Sequence, residues 1–314
     1  MNRREFIMSG VVGAAALGAE AACGCGAACK CALPGAAKAQ LNLCLQWGAI
    51  PTGNDINEKL DYLEANNYQA VEIPSGKWVL ENGLKVRDAL KGRKLFLATA
   101  CGPSRFDRAD SAENDKEVEG FMPILEVLGE IGSRGLIICP ARGKPEIGLK
   151  ELREDFVTNT GKRLAEKAAK CGTAIVLEPL QRAETPFLRQ VSDGTRMAQE
   201  IGEGAKVMAD LWHMSKEEAS NFGAIITAGD LLAHVHIASL KSRRTPGSDG
   251  DADNYIDAFR GLKFIGYTGA VSLEAGWVPV GKDAKGKPIG PDNAEKHRRL
   301  VAMNAMLREQ WAKA

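Results

Sequence analysis

Four residues, Glu178, Asp210, His236 and Glu274, each close or nearly close a short apolar run, and they recur at gaps of 32, 26 and 38 residues. The runs read TAIVLE, AKVMAD, LAHVHI and GAVSLE, each rich in β-formers and followed by a turn and a helix-like stretch. One strand plus one helix takes about that much chain. A polar group repeated at strand ends with that period therefore predicts a parallel (β/α)8 barrel that gathers one metal site on the C-terminal rim of its strands.

The rest of the chain fits the same period. From Leu41 onward short β-like runs alternate with helical patterns. Strands are expected at Leu41–Gln46, Ala70–Ile73, Lys94–Ala98, Gly135–Cys139, Thr173–Glu178, Lys206–Asp210, Ala233–Ala238 and Gly269–Glu274. Helices are clearest at Ile56–Asn66, Lys116–Ile131, Leu149–Lys170, Gly194–Ile201, Tyr255–Phe264 and Asn293–Trp311, and weaker after strands two and six. An open doubly wound sheet would want a G-x-G-x-x-G turn after an early strand, and the sequence has none. The expected fold class is thus α/β: a single barrel domain over residues 40–314, with Trp277–Asp292 as a long rim loop.

Residues 1–39 form a separate leader. Arg3-Arg4-Glu5-Phe6 precedes an Ala/Gly-rich apolar run too short to span a bilayer, which resembles a twin-arginine export signal. Cleavage is expected at Ala37-Lys38-Ala39 rather than Ala19-Glu20-Ala21, because the former ends just before the first strand. Cys23 follows Glu20, where a lipid-anchor motif wants an aliphatic residue, and Cys23, Cys25, Cys29 and Cys31 read as part of the discarded spacer. The chain is accordingly expected in the periplasm, with no stable membrane span. Cys44, Cys101, Cys139 and Cys171 read as small buried apolar side chains.

Side chains alternate along a strand, so His234 and His236 point the same way, into the barrel. His236 lies nearer the rim and is the expected ligand; His234, two residues deeper, is expected to be a hydrogen-bonded core histidine. In Asp210-Leu-Trp-His213 the histidine falls in the loop facing the same cavity, placed to contact substrate. Three carboxylates with one imidazole make a hard donor set suited to Mn²⁺, Mg²⁺ or Co²⁺ with open positions, and unlike a closed thiolate zinc site. A formal net charge of +1 predicts no nucleic-acid partner.

Glu178-Pro-Leu-Gln-Arg-Ala-Glu184-Thr, Asp210-Leu-Trp-His213, His234-Val-His236-Ile-Ala and Gly266-Tyr-Thr-Gly-Ala-Val-Ser-Leu-Glu274 resemble the xylose-isomerase-like barrel superfamily. Within it the chain is most similar to the sugar epimerase and isomerase branch that includes ketose 3-epimerases and hydroxypyruvate isomerase. The resemblance implies one divalent metal, usually Mn²⁺, held by Glu178, Asp210, His236 and Glu274. It implies that Glu178 and Glu274 double as the acid/base pair, and that Glu184, His213 and an arginine after strand seven touch substrate oxygens. Arg243 suits that last place better than its neighbour Arg244, and Gln181 stands where Asn is common. The implied activity is a sugar epimerase or aldose–ketose isomerase working through an enediolate; the alternative is a lyase or dehydratase acting on a keto-sugar or 3-keto-glycoside with the same metal. A DNA-repair endonuclease of this fold would need a histidine-rich multi-metal site and a basic face, and four histidines with near-neutral charge lack both. The expected partner is a small-molecule sugar, and the resemblance carries an expectation of homo-oligomers. The sugar and the carbon attacked are not readable.

Overall fold

In a computed structural model that describes residues 38–314, the eight expected strands close into one parallel barrel in sequential order. They are β1 (Asn42–Gln46), β2 (Ala70–Pro74), β3 (Phe96–Cys101), β4 (Gly135–Ile138), β5 (Ile175–Leu177), β6 (Ala205–Asp210), β7 (Leu232–Ile237) and β8 (Ala270–Leu273), with β8 pairing back onto β1. The helices are α1 (Ile56–Ala65), α2 (Lys77–Leu90), α3 (Ser111–Ile131), α4 (Leu149–Asp155), α5 (Gly161–Lys170), α6 (Val191–Ile201), α7 (Leu211–Glu217), α8 (Asn221–Ala228), α9 (Ile256–Phe264) and α10 (Asn293–Lys313). The leader expected over residues 1–39, with its paired arginines and cysteine cluster, lies outside the described residues except for its last two. Among the described residues no helix is long and apolar enough to cross a membrane.

The two-residue period sorts each strand into two faces. Leu43, Leu45, Val71, Ile73, Leu97, Leu136, Ile138, Val207, Val235, Ile237, Val271 and Leu273 point outward and join the helices in one large apolar cluster. Their neighbours point into the barrel, where small side chains (Cys44, Ala70, Ala98, Ala270) fill one part and Ile137, Val176 and Met208 another. Two residues further along the same face stand Glu72, Glu178 and Asp210, Glu274 stands four beyond Ala270, and His236 stands two beyond His234. Apolar packing thus occupies the lower barrel and leaves ionisable groups at its C-terminal end. Main-chain bonds carry the ladders to the last of them: Glu178 N–H donates to Ile138 O (3.0 Å) and Glu274 N–H to Ile237 O (3.2 Å).

Three expectations shift. The third strand runs Phe96–Cys101 instead of Lys94–Ala98, because Lys94 N–H is taken by the Glu64 carboxylate at the end of α1 and the β2–β3 register slips by one between Val71 and Ile73. The stretch Leu149–Lys170 is not one regular helix: a wide π turn over Phe156–Thr160 separates α4 from α5. Gly161 there lies so near Phe156 that a Cβ would sit 2.5 Å from its carbonyl oxygen, a packing demand that apolar periodicity does not register. The rim segment Trp277–Asp292 carries a small hairpin, Gly281–Lys282 against Pro288–Ile289.

The outer layer is held closely enough to make a sharp stability test. Gly204 enters β6 with φ +82°, and a Cβ there would lie 2.0 Å from the carbonyl oxygen of Ala165 on α5. Gly172, also left-handed at +73°, faces open space. Gly204→Ala is expected to cost roughly 3 kcal/mol, a fall in Tm of about 8 °C, whereas Gly172→Ala costs about 1 kcal/mol. Thermal unfolding followed by circular dichroism reads both, and equal costs would refute the close approach to α5.

Candidate metal and proton-transfer centre

Glu178, Asp210, His236 and Glu274 converge, with one ligand-capable atom from each lying within 4.8 Å of all the others. They come from the ends of β5, β6, β7 and β8, and the register explains the meeting: Asp210 pairs with His236, and His236 with Ser272 two residues before Glu274. From His236 Nδ1 the nearest carboxylate oxygens are Glu274 Oε2 (3.4 Å), Glu178 Oε1 (3.9 Å) and Asp210 Oδ2 (4.0 Å). Nδ1 is buried and has no hydrogen-bond partner.

Each carboxylate has one oxygen committed elsewhere or shared. Asp210 ends β6 and also caps α7: its Oδ1 accepts from Trp212 N–H (2.7 Å) and His213 N–H (3.1 Å), leaving Oδ2 to the cluster. Glu178 Oε2 accepts from the Cys139 thiol at 3.0 Å, leaving Oε1 to the cluster. Glu274 Oε2 accepts from Arg243 Nη2 at 2.8 Å.

Crowding of acids in a dry pocket sets their protonation. Burial, and then the charge of Glu274, push Glu178 up to about 7 and Asp210 up to about 6. Burial works the same way on Glu274, but the His236 charge and the Arg243 guanidinium outweigh it and hold this carboxyl well below its ordinary range. His236 is also desolvated, yet the carboxylates of Glu72 and Glu274 hold its pKa well above the ordinary value. In the absence of a cation the cluster thus keeps protons on some members to limit repulsion.

The residues expected to meet substrate gather on the same side. His213 lies in the first turn of α7, which Asp210 caps, and not in a loop as expected; it is buried, and its Nδ1 accepts from Gln181 N–H at 3.0 Å, so the proton sits on Nε2, which points toward the cluster. Burial, with the Arg243 charge, lowers its pKa to about 3, so the ring is a neutral donor. Its 3.4 Å approach to Arg243 Nη2 is then a contact of two donors, not a hydrogen bond. Arg243 also lies over the Trp212 ring at 4.4 Å and donates to Glu184 Oε1 at 3.3 Å. Arg244 turns away and donates to the Trp277 carbonyl, so of the two arginines Arg243 is the one that faces the cluster. Glu184 is further held by Gln181 Nε2 (3.2 Å) and Arg142 (3.2 Å).

Arg243 itself takes a left-handed backbone, φ +53°, unusual for a long side chain. Its loop is tied by two acids that sequence reasoning passed over. Buried Asp253 accepts from Leu240 N–H (2.8 Å), Gly247 N–H (2.7 Å) and the Ser239 hydroxyl (2.6 Å); Asp249 accepts from Lys241 and Ser242 N–H, each at 2.9 Å. Asp253→Asn is expected to raise KM about tenfold with divalent-metal affinity unchanged, since it loosens Arg243 and touches no cluster oxygen. Steady-state kinetics beside a metal titration checks this; weakened metal binding with normal KM would contradict it.

His234 is the core histidine expected, bonded to Glu72 at 2.7 Å. Glu72 was missed, although a lone acid inside Ala-Val-Glu-Ile-Pro carries the same signal as the other strand-end acids. Cys139 and Arg142 were also missed as site residues, because only the barrel brings the end of β4 beside β5. The four described cysteines are all free. Beside the cluster a cavity of about 270 Å³ opens between Gln46, Trp47, Ile73, Cys101 and Glu274, a size for a small ligand.

Residues 60–300 match the family described as xylose isomerase-like TIM barrel. The chain is 31% identical over 232 residues to the 3-dehydro-D-guloside 4-epimerase of Escherichia coli strain K12, a match covering 70% of this chain and 87% of that protein. It is 31% identical over 242 residues to the D-psicose 3-epimerase of Enterocloster bolteae, covering 70% and 76%. Among solved structures it superposes on the apo form of Escherichia coli 3-keto-D-glucoside 4-epimerase with TM-score 0.71 and 26% identity, covering 85% of this chain and 100% of that one.

Proposed function

The chain belongs to the xylose isomerase-like TIM barrel family, and from that premise we propose that it is a divalent-metal-dependent epimerase of keto-sugars. The carrying observation is the convergence of Glu178 and Glu274 with Asp210 around an unpartnered His236 Nδ1, beside a small cavity. The two epimerases that match most of its length support the substrate class, keto-glycosides or free ketoses.

The donor set fits a metal. A buried imidazole nitrogen without a hydrogen-bond partner faces three carboxylate oxygens at 3.4–4.0 Å, and a cation that displaced its proton would satisfy all four at once. Glu178, Asp210, His236 and Glu274 would hold it; three hard oxygens with one nitrogen suit Mn²⁺, Mg²⁺ or Co²⁺, and Mn²⁺ is our choice on the family resemblance. Once bound, such an ion would supply Lewis acidity at a substrate carbonyl.

The proton work falls to the chain. One glutamate removes the proton beside the carbonyl, giving an enediolate; the other returns a proton to the opposite face, and the centre inverts. His213 Nε2–H and the Arg243 guanidinium donate to substrate oxygens as negative charge grows there. The thiol of Cys139 and the cap at Asp210 fix the carboxylates before substrate arrives, so little reorganisation accompanies transfer.

Incubating the Mn²⁺-loaded protein in D2O with a 3-keto-D-glucoside and with D-psicose, read by proton NMR, tests the reading. The expected result is deuterium at one ring or chain carbon and an inverted product with nothing released. Release of the aglycone, or loss of water from the sugar, would identify a lyase or dehydratase and overturn it. We further propose export by the twin-arginine route, on the basis of Arg3-Arg4 and the apolar run after them. A mature chain in the periplasm beginning at Gln40 is the expected observation, and an uncleaved chain in the cytoplasm the refuting one.

A further inference from the structure

We propose that Glu72 is the positioning residue of the metal site: it holds His236 through Nε2 so that Nδ1 faces the cation, and it braces His234 in the same grip. This rests on the metal-site reading above. Glu72 lies in β2, almost across the barrel from β7 in sequence and fully buried. Its Oε2 is 2.9 Å from His236 Nε2, 2.7 Å from His234 Nε2 and 3.1 Å from Thr99 Oγ1; its Oε1 accepts from Gln46 Nε2 at 2.8 Å.

An ionised carboxylate has no proton to give, so both imidazoles must donate at Nε2. His236 has only one other ring nitrogen. With Nε2 committed as donor, Nδ1 is the nitrogen that gives up its proton when the ring becomes a ligand, and it is the atom without a hydrogen-bond partner that looks toward Glu178, Asp210 and Glu274. Without Glu72 the ring would be free to take the other tautomer and to turn. A carboxylate behind a ligating imidazole also makes the ring a stronger donor to the metal. Gln46 and Thr99 hold the carboxylate itself, so the support spans β1, β2, β3 and β7.

Two rival roles are distinguishable. Glu72 borders the cavity of about 270 Å³ with Gln46 and Glu274, but four donors already occupy its oxygens and leave none for a substrate. Glu72, His234 and His236 also lie close enough for an ion of their own. Their separations of 2.7 and 2.9 Å are those of charge-assisted hydrogen bonds, and a second ion would leave His236 bridging two metals.

The test is a Mn²⁺ titration of the metal-stripped full chain and of Glu72→Gln by calorimetry, with circular dichroism to verify folding. The expected result is one equivalent bound by the native chain and affinity lowered about 10- to 100-fold in the variant, with KM for the sugar unchanged at saturating Mn²⁺. Native affinity in a folded variant, a raised KM as the sole defect, or two equivalents in the native chain would each overturn the proposal. Should the variant not fold, ¹⁵N-histidine NMR of the native chain loaded with diamagnetic Zn²⁺ decides: His236 must show coordination at Nδ1 and a proton on Nε2, and the reverse pattern overturns it. A native chain that binds no Mn²⁺ or Zn²⁺ would fail the functional reading itself, whereas normal binding by Glu72→Gln fails this inference alone.

Discussion

Glu274→Gln and Glu178→Gln are each expected to slow exchange of the substrate's transferred proton with solvent by a factor of about 10³ or more, measured at saturating metal. Gln keeps the shape and can still offer an oxygen to a cation, but it cannot take or give the proton. The two environments differ in a way that sharpens the test. Glu274 is held ionised by His236 and Arg243, while burial and Glu274 push Glu178 up toward neutrality. That divergence belongs to the metal-free chain; a cation facing both carboxylates would lower both, so the exchange measurement is made on the loaded protein. Deuterium wash-in, followed by mass spectrometry on recovered sugar, measures the step directly, because it does not depend on which way the product equilibrium lies. Metal content must be read on the same samples, since each glutamate also faces the cation position. Native-rate wash-in by either variant would remove that glutamate from the reaction.

Loading the metal-stripped protein with Mn²⁺ should raise Tm by roughly 10 °C at pH 7.5, for an ion present at about a thousand times its Kd. The gain should shrink below about pH 6.5, because Glu178 and Asp210, with proton affinities raised to about 7 and about 6, must be deprotonated to face a cation. The metal-free protein should trend the other way, most clearly above about pH 6.5, since His213 and His234, held below the ordinary histidine value, oppose the trend at lower pH. Carboxyls whose folded pKa lies above the unfolded value bind protons more tightly when folded, so their contribution is present at low pH and is lost as pH rises from about 4 to 7. His236, also raised, adds to that loss as pH rises through its folded value. Glu274 and Glu72, both held low, are ionised in folded and unfolded chains above about pH 5 and add no slope there. Calorimetric scans with and without Mn²⁺ between pH 5.5 and 7.5 separate the two trends. A Tm indifferent to Mn²⁺ at pH 7.5 would rule out the site, and Asp210→Asn should abolish most of the gain.

Much of this centre is legible in the sequence because a strand ends where its apolar run ends. Glu178, Asp210, His236 and Glu274 announce themselves as polar groups at those ends, and the β/α period places them on one rim. His234 and His236 share a face by simple alternation, and the deeper one was readable as a core residue. Helix interiors were less legible: the π turn at Phe156–Thr160 answers to a close approach by Gly161 that leaves no mark on periodicity. Strand three drifted because a side chain from α1 claims Lys94.

What the sequence determined by itself is local and periodic: eight strand–helix units, the inward face of each, and four chemical groups at a common height. What only the tertiary structure decided is which atoms meet across the barrel. Glu72 and His236 are 164 residues apart and touch because closure sets β2 and β7 around one interior. Cys139 reaches Glu178, and Arg243 rather than Arg244 turns inward, because adjacent strand ends and one left-handed residue in an acid-tied loop aim them. Spacing is a property of neighbours along the chain, whereas hydrogen-bond partners, tautomers and proton affinities belong to groups that folding alone brings into contact.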